Sequence, residues 1–211
     1  MFTIMPSMSY LNLSGTRKVT IDKALIPFLD HDGFETFAFW IRPRSAGASG
    51  MIYDRGASNA GRLTMNADGT FTYQFWDRAV TTPDNPTCSV QATEWIHVTV
   101  RRWNEACDGK IEIRVNGNAC GDICGIGWEN NPNVAIDVGD ANIDILDFRY
   151  DNSKQTVSTI NADRFSQSQN SWMRYWNFST QDTDYGLDGA TSGGGSAYRE
   201  SQMISDPRLN P

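Results

Sequence analysis

The stretch Thr93–Gly117, TEWIHVTVRRWNEACDGKIEIRVNG, leaves this chain little choice of fold. In Trp95–Arg102, Ile96, Val98 and Val100 fall on one side, and Trp95, His97, Thr99 and Arg101 on the other. In Lys110–Gly117, Ile111, Ile113 and Val115 alternate in the same way with Glu112, Arg114 and Asn116. Side chains of an extended strand point to opposite faces in turn, so period-two alternation on both sides of a polar, Gly-containing turn predicts a half-buried antiparallel hairpin. Further short strands bounded by Gly, Asn, Asp or Pro are expected at Ser9–Leu13, Lys18–Ile21, Glu35–Arg42, Met51–Asp54, Arg62–Met65, Thr70–Trp76, Val134–Val138, Ile143–Tyr150 and Trp172–Phe178. Asn66-Ala67-Asp68-Gly69 supplies a tight turn between two of them. Close, even spacing with almost no helical periodicity predicts an all-β sandwich or barrel. One short helix is expected at Asn161–Ser168.

With 211 residues, 39% hydrophobic and 11% aromatic, the chain can bury a sizeable core. A formal charge of −7 argues against nucleic acid, whose phosphates require a basic face. No stretch approaches the roughly 18 apolar residues that span a bilayer. MFTIMPSMSYLNLSG has neither a basic leader region nor a continuous apolar run, so no signal peptide is read there. The expectation is a protein of the cytoplasm, or one that reaches the extracellular space or a virion surface without a signal peptide. One domain, residues 1–188, is expected, followed by a Gly/Ser-rich, polar extension, residues 189–211, beginning GATSGGGS and suited to lie on a partner.

Four cysteines, Cys88, Cys107, Cys120 and Cys124, allow three pairings. Cys107 lies in the hairpin turn, whereas Cys88 and Cys120 flank the hairpin at its other end. A Cys88–Cys120 or Cys88–Cys124 bridge is therefore geometrically possible in an oxidising compartment. Free thiols are the leading expectation, with disulfides and a zinc site as alternatives. Zinc fits poorly because paired C-x2-C spacing is missing and His31 and His97 lie elsewhere.

The hairpin also resembles a W-x-H-V-x-V strand followed by an x-I-x-V-x-G strand, a pattern of the laminin-G-like branch of the concanavalin A-like lectin/glucanase superfamily. YLNLSGTRKVTI, ETFAFWIRP, MIYDRG, GRLTMNADGTFTYQF and ANIDILDFRY are similar to further segments of that pattern, in the expected order from about Tyr10 to Tyr150. MRYWNF resembles a W-x-F segment that many relatives carry near the N-terminus, although here it is C-terminal. The resemblance implies an antiparallel jelly-roll β-sandwich, with the C-terminal extension irregular, and a binding module more often than an enzyme.

Enzymes of this superfamily use an E-x-D-x-x-E type strand, and retaining hydrolysis needs two carboxyl groups about 5 Å apart. The nearest counterpart, Asn142–Asp147, has Asn142 in the first acid position, and a regular strand points Asp144 and Asp147 to opposite faces. Asp144 is expected to be structural and solvated, and His97 structural. No nucleophile motif accompanies the histidines, so the expected protein is not an enzyme. Asp182, Asp184 and Asp188, alternating with turn residues, suit the flexible oxygen-rich shell that calcium prefers, with Asp137 and Asp140 a weaker second candidate. For sugar, aromatic faces beside hydrogen-bonding side chains occur in two loops. Trp128, Glu129, Asn130 and Asn131 form one, and Trp76, Asp77 and Arg78 the other, with Trp76 expected to point outward. The alternative for Trp128 is a plug at the sandwich end. Trp40, Trp95 and Trp103 are assigned to packing or strand surface. Two readings stay open: a non-enzymatic carbohydrate-binding or adhesion module whose partners are glycans, plausibly displayed on a phage particle, and a virion structural protein (decoration, spike or fibre-head subunit) whose partners are other particle proteins or further copies of itself.

Overall fold

The structure, a computed structural model, describes residues 8–13, 18–21, 34–56, 61–104, 107–126, 135–166, 172, 174–176, 191–193 and 198–202. These form two antiparallel sheets packed face to face. Sheet A runs in spatial order β10 (Asn118–Cys124), β9 (Lys110–Val115), β8 (Ile96–Trp103), β3 (Glu35–Pro43), β12 (Ile143–Asp151), β1 (Met8–Leu13) and β15 (Tyr198–Gln202). A further strand, β13 (Arg174–Trp176), pairs with β12 beyond the reach of β1. Sheet B runs β14 (Thr191–Gly193), β2 (Lys18–Ile21), β11 (Ile136–Gly139), β4 (Gly50–Asp54), β5 (Arg62–Met65), β6 (Phe71–Phe75) and β7 (Arg78–Thr81). This is a jelly-roll β-sandwich: strand patterning predicts a sandwich or barrel, and the family resemblance implies the jelly roll. Two segments of the C-terminal extension lie on sheet edges: β14 pairs with β2, and β15 with β1.

The alternating apolar residues face each other across the sandwich. Phe37, Phe39, Ile41, Val98, Val100, Ile111, Ile113, Ile143, Ile145 and Phe148 from sheet A meet Ile52, Tyr53, Leu63, Met65, Phe71, Tyr73, Phe75 and Val138 from sheet B in one buried cluster. Each such side chain contributes about 1.5–3 kcal/mol by leaving water. Phe37 stacks on Tyr53 across the layers with ring centroids 3.9 Å apart. The predicted turn forms at Asn66–Gly69, where the Gly69 amide donates to the Asn66 carbonyl at 2.9 Å. Glycine is required there: φ is +84°, and a Cβ would sit 2.2 Å from the Val90 carbonyl oxygen.

The outer face of sheet A is also covered, which simple alternation does not foresee. Helix α1 (Val157–Asp163) starts four residues before the predicted one, because the Thr156 side chain accepts from the Thr159 amide and caps it. Ile160 of α1 and Trp172 pack on Ala38. Tyr10, Trp40 and Leu146 form a second cluster there with Trp95 and Phe165. The Trp40 indole donates to the Arg164 carbonyl at 2.9 Å, and the Trp172 indole to Asp163 at 3.0 Å. This roof explains why β8 is buried along its whole length rather than on alternate positions.

Four strands were not expected, β7, β10, β14 and β15, and β10 corrects the cysteine reading. All four thiols are bridged, Cys88 to Cys120 and Cys107 to Cys124. β10 runs back antiparallel along β9, Cys124 opposite Lys110, and so returns the chain to the hairpin-turn end where Cys107 waits. Cys120, near the start of β10, stays at the far end beside Cys88. Free thiols and a cysteine-ligated zinc are both overturned. Closing loops of 32 and 17 residues should contribute about 3–4 and 3 kcal/mol by restricting the unfolded chain. Urea unfolding of the Cys88→Ser/Cys120→Ser and Cys107→Ser/Cys124→Ser double variants is expected to give losses of that size, the first the larger, and the native protein should expose no titratable thiol.

Candidate functional site

Strand registers gather one set of connections at a single end of the sandwich. Glu35, Arg55, Phe75, Arg78, Trp103, Lys110, Cys124, Ile136 and Asp151 all stand there, at the termini of nine different strands or one residue beyond. The Trp76–Asp77 turn joins β6 to β7 at this end, and Cys107–Cys124 clasps the neighbouring hairpin. Ile126 and Ala135, the residues flanking the segment 127–134, adjoin the same end through β10 and β11.

The predicted sugar residues fare differently. Asp77 is exposed, with 88% of its side chain in water, and Arg78 is half exposed at 50%, so both are available to a ligand. Trp76 does not point outward. It adopts φ +52° in the turn, packs against the core cluster, and meets Phe75 edge-on at 6.4 Å. The positive φ swings the side chain inward, away from the direction strict alternation assigns it. Its indole N–H is buried without an acceptor among the described residues. Trp128, Glu129, Asn130 and Asn131 lie outside the described residues, as do the proposed calcium ligands Asp182, Asp184 and Asp188. Of the weaker calcium pair, Asp137 accepts from Lys18 Nζ and from Thr20 Oγ1, both at 2.6 Å. Its hydrogen bond raises the Lys18 pKa, with burial opposing. Among the described residues, no group of three His, Cys, Asp or Glu stands together as a metal would need.

The carboxylates on β12 are not solvated. Asp144 is buried and receives Arg42 at 2.6 Å and Arg44 at 2.5 Å. Asp147 occupies a bulge at φ +53°, where the register with β3 slips between Leu146 and Phe148. It is buried near Arg149, 4.0 Å away. Neither is placed as half of a hydrolytic pair.

The loop-bearing end hides a polar cluster that the sequence reading missed. Glu35, 1% exposed, accepts from Tyr53 at 2.7 Å and Arg55 at 2.6 Å through one oxygen. Tyr73 reaches the other oxygen at 3.4 Å, and Arg102 lies 3.8 Å from it. Arg55 also donates to Tyr150 at 2.6 Å. Burial alone would push the Glu35 carboxyl up, but Arg55, Arg102 and the Tyr53 hydrogen bond outweigh it and hold the group below the usual carboxylate range. Burial, with Glu35 adding to it, pushes the Tyr53 and Tyr73 phenols well up. A carboxylate held ionised by two arginines is a structural anion and a poor proton donor. Its signal was in the phase: Glu35 lies two residues before Phe37 and four before Phe39, and Arg102 lies two after Val100 and four after Val98.

His97 is structural, as expected. Its ring meets Trp40 edge-on at 5.3 Å under the α1 roof. Burial pushes its pKa down to about 3, with Arg149 and Arg164 adding to the effect. The folded protein therefore keeps His97 neutral while the unfolded chain protonates it below its ordinary 6.5, so stability falls as pH drops from about 6.5 towards about 3. The full loss is on the order of 5 kcal/mol. Measured by urea unfolding across that window, His97→Gln should flatten the slope, whatever its offset at neutral pH.

A family description, the concanavalin A-like lectin/glucanases superfamily, matches residues 13–154. None of the curated proteins matches the chain in sequence. Among solved structures, the fold is similar to that of a "putative carbohydrate binding protein" of Bacteroides ovatus ATCC 8483, with TM-score 0.70 and 12% identity over 92% of this chain. This chain spans 60% of that protein's length. A heptameric SAP-like pentraxin of Limulus polyphemus aligns with TM-score 0.57 and 14% identity over 92% of this chain and 97% of its own. The binding domain of botulinum neurotoxin serotype C1 aligns with TM-score 0.51 and 13% identity over 74% of this chain and 45% of its own. At such identities the likeness is one of fold.

Proposed function

The chain belongs to the concanavalin A-like lectin/glucanases superfamily, and from that premise we propose that it is a non-catalytic carbohydrate-binding module. The observation that carries the reading is the lectin-like sandwich itself, matched over residues 13–154 and similar in fold to a protein whose printed description is carbohydrate binding. The rim supports it: exposed Asp77 and Arg78 offer hydrogen bonds to hydroxyls at the end from which residues 127–134 depart. In this reading Trp128 supplies an apolar face for a sugar ring, and Glu129, Asn130 and Asn131 the polar contacts. Trp76 supports the turn from below rather than stacking on ligand. Against hydrolysis stands the pairing of Glu35, Glu112 and Asp144 with arginines, which leaves none of these three suited to proton transfer. Asp182, Asp184 and Asp188 are the proposed ligands of a calcium ion that would order the neighbouring loop.

Two disulfides favour an oxidising location over the cytoplasm. Extracellular display, on a virus particle or otherwise, accords with that chemistry. Edge strands β14 and β15, formed by the C-terminal extension, lend some weight to a particle-scaffold role, because an added strand can equally be exchanged with a neighbouring copy.

A glycan array probed with the purified protein in calcium, and again in EDTA, tests the reading. Specific binding is expected, and Trp128→Ala should weaken it about tenfold or more, as loss of a stacking face would. Loss of signal in EDTA, reproduced by Asp184→Ala, would support the calcium ligands. Binding untouched by EDTA would remove them and leave the aromatic rim. An array with no specific signal would sink the carbohydrate reading and put the scaffold role ahead.

A further inference from the structure

The loop-bearing end also opens onto the outer face of sheet A, where a groove of about 580 Å3 is lined by Phe34, Arg101, Asn152, Ser153, Lys154 and Gln155. That volume falls within the roughly 300–1,000 Å3 of small-ligand sites. A second hollow, between Ser45 and Val90, measures only about 210 Å3 and is walled mainly by small side chains.

The groove carries its own charge pattern. Arg101 is almost wholly buried: one guanidinium nitrogen donates to the Gln155 carbonyl at 3.0 Å, another pairs with Glu112, and Nε is buried without an acceptor among the described residues. Glu112 also pairs with Arg114, so one carboxylate is shared by two arginines. Three cations gather on Trp103: Lys154 Nζ lies 4.6 Å from the ring centre, Arg101 Cζ 5.1 Å and Lys110 Nζ 5.8 Å. Lys110 in turn pairs with Asp122. The patch thus holds four cations, Arg101, Lys110, Arg114 and Lys154, against three carboxylates, Glu112, Asp122 and Asp151, on a chain whose net charge is −7. Asp151, next to the groove, turns one oxygen to the Ser153 amide at 2.8 Å.

We propose that this groove binds an acidic sugar. A ring carboxylate or sulfate would meet Lys154 at the lining, steered by the surplus positive charge behind it. The half-buried Phe34 offers the ring an apolar face, and Asn152, Ser153 and Gln155 hydrogen-bond the hydroxyls. A positive groove on an acidic protein selects an anionic ligand against the background field, because like charge elsewhere repels it. The inference rests on the carbohydrate-binding reading and gives it a ligand class, at a site apart from the Trp76 rim.

Calorimetric titration of the full chain tests it. The carboxylate probes are sialyllactose and trigalacturonate, the sulfate probe is a heparin-derived tetrasaccharide, and lactose and maltotriose are the neutral controls. An acidic probe is expected to bind about tenfold or more tighter than the neutral ones, and to weaken as salt is raised from about 50 to 500 mM. Lys154→Glu should weaken acidic binding about tenfold and Phe34→Ala should weaken it as well. The Tm of each variant should stay near that of the parent. Whichever of the carboxylate and sulfate probes binds identifies the anion. Acidic binding unchanged in Lys154→Glu, or neutral sugars bound as tightly as acidic ones, would overturn the groove and leave the carbohydrate reading standing. Failure of every sugar to bind would overturn both.

Discussion

Two apolar sheet faces attract each other without direction, so something must fix how they sit, and here it is the carboxylate of Glu35. It begins the central strand of sheet A, opposite Arg102, yet its hydrogen bonds go to Tyr53 and Arg55 on the sheet B side. Arg55 then returns to Tyr150 on β12. The polar link therefore joins three strands of the sandwich in both layers with bonds that tolerate little sliding. Removing one partner of such a buried pair would strand the other charge, at a cost of about 3–5 kcal/mol. The same cluster seals the core at the end where the loops emerge, so the core's order extends up to the bases of the rim and groove.

The outer face of sheet A is largely covered as well. The α1 segment roofs sheet A and turns its nominal outer surface into a second, polar interior. Charges there must be paired to be tolerated, and they are: Asp144 with Arg42 and Arg44, Glu112 with Arg101 and Arg114. Sheet B keeps a polar outer face of the ordinary kind, where Lys18, Thr20 and Asp137 bond among themselves and Arg62 pairs with Asp54. The two disulfides hold opposite ends of β10, one at each end of the sandwich, so the edge of sheet A cannot peel away.

Much of the fold was legible because burial and alternation coincide in the strands that form the core. Glu35–Pro43 and Ile143–Asp151 extend their predicted spans by a single residue, and Lys18–Ile21 and Arg62–Met65 match them. The missed strands lacked that signal. β7 has one buried residue among four, and β10, NACGDIC, is small and polar because its bulge and bridges, not apolar packing, hold it. Missing β10 carried the error into the cysteines, since only its return brings Cys124 to Cys107. Polar residues were misread for one reason: a polar side chain in strand looks solvent-facing whether it meets water, a roof or a buried partner. Asp144 meets Arg42 and Arg44 rather than water, and Glu35 and Arg102 point into the core in phase with their apolar neighbours. For the site, alternation located the rim turn but misdirected Trp76, because a positive φ at a turn residue leaves no mark in a non-glycine sequence.

The distribution of arginine bears on chemistry as well as stability. Arg42, Arg44, Arg55, Arg101 and Arg114 each neutralise a carboxylate, and their planar forks suit them to act as internal struts. With those acids occupied, proton transfer to a glycosidic oxygen has no ready donor among them, whereas recognition asks only for surface groups left in reach. The negative surplus of the chain must then lie on the remaining, more exposed acids, such as Asp77 and Asp122. Against that surface the cations around Trp103 stand out as a local reversal of sign. Of these, Lys154 alone lines the groove on a flexible stem, while Arg101 is fixed beneath it. Rigid charge below and adaptable charge above suit a site that reads an anion on a sugar rather than one that transforms it.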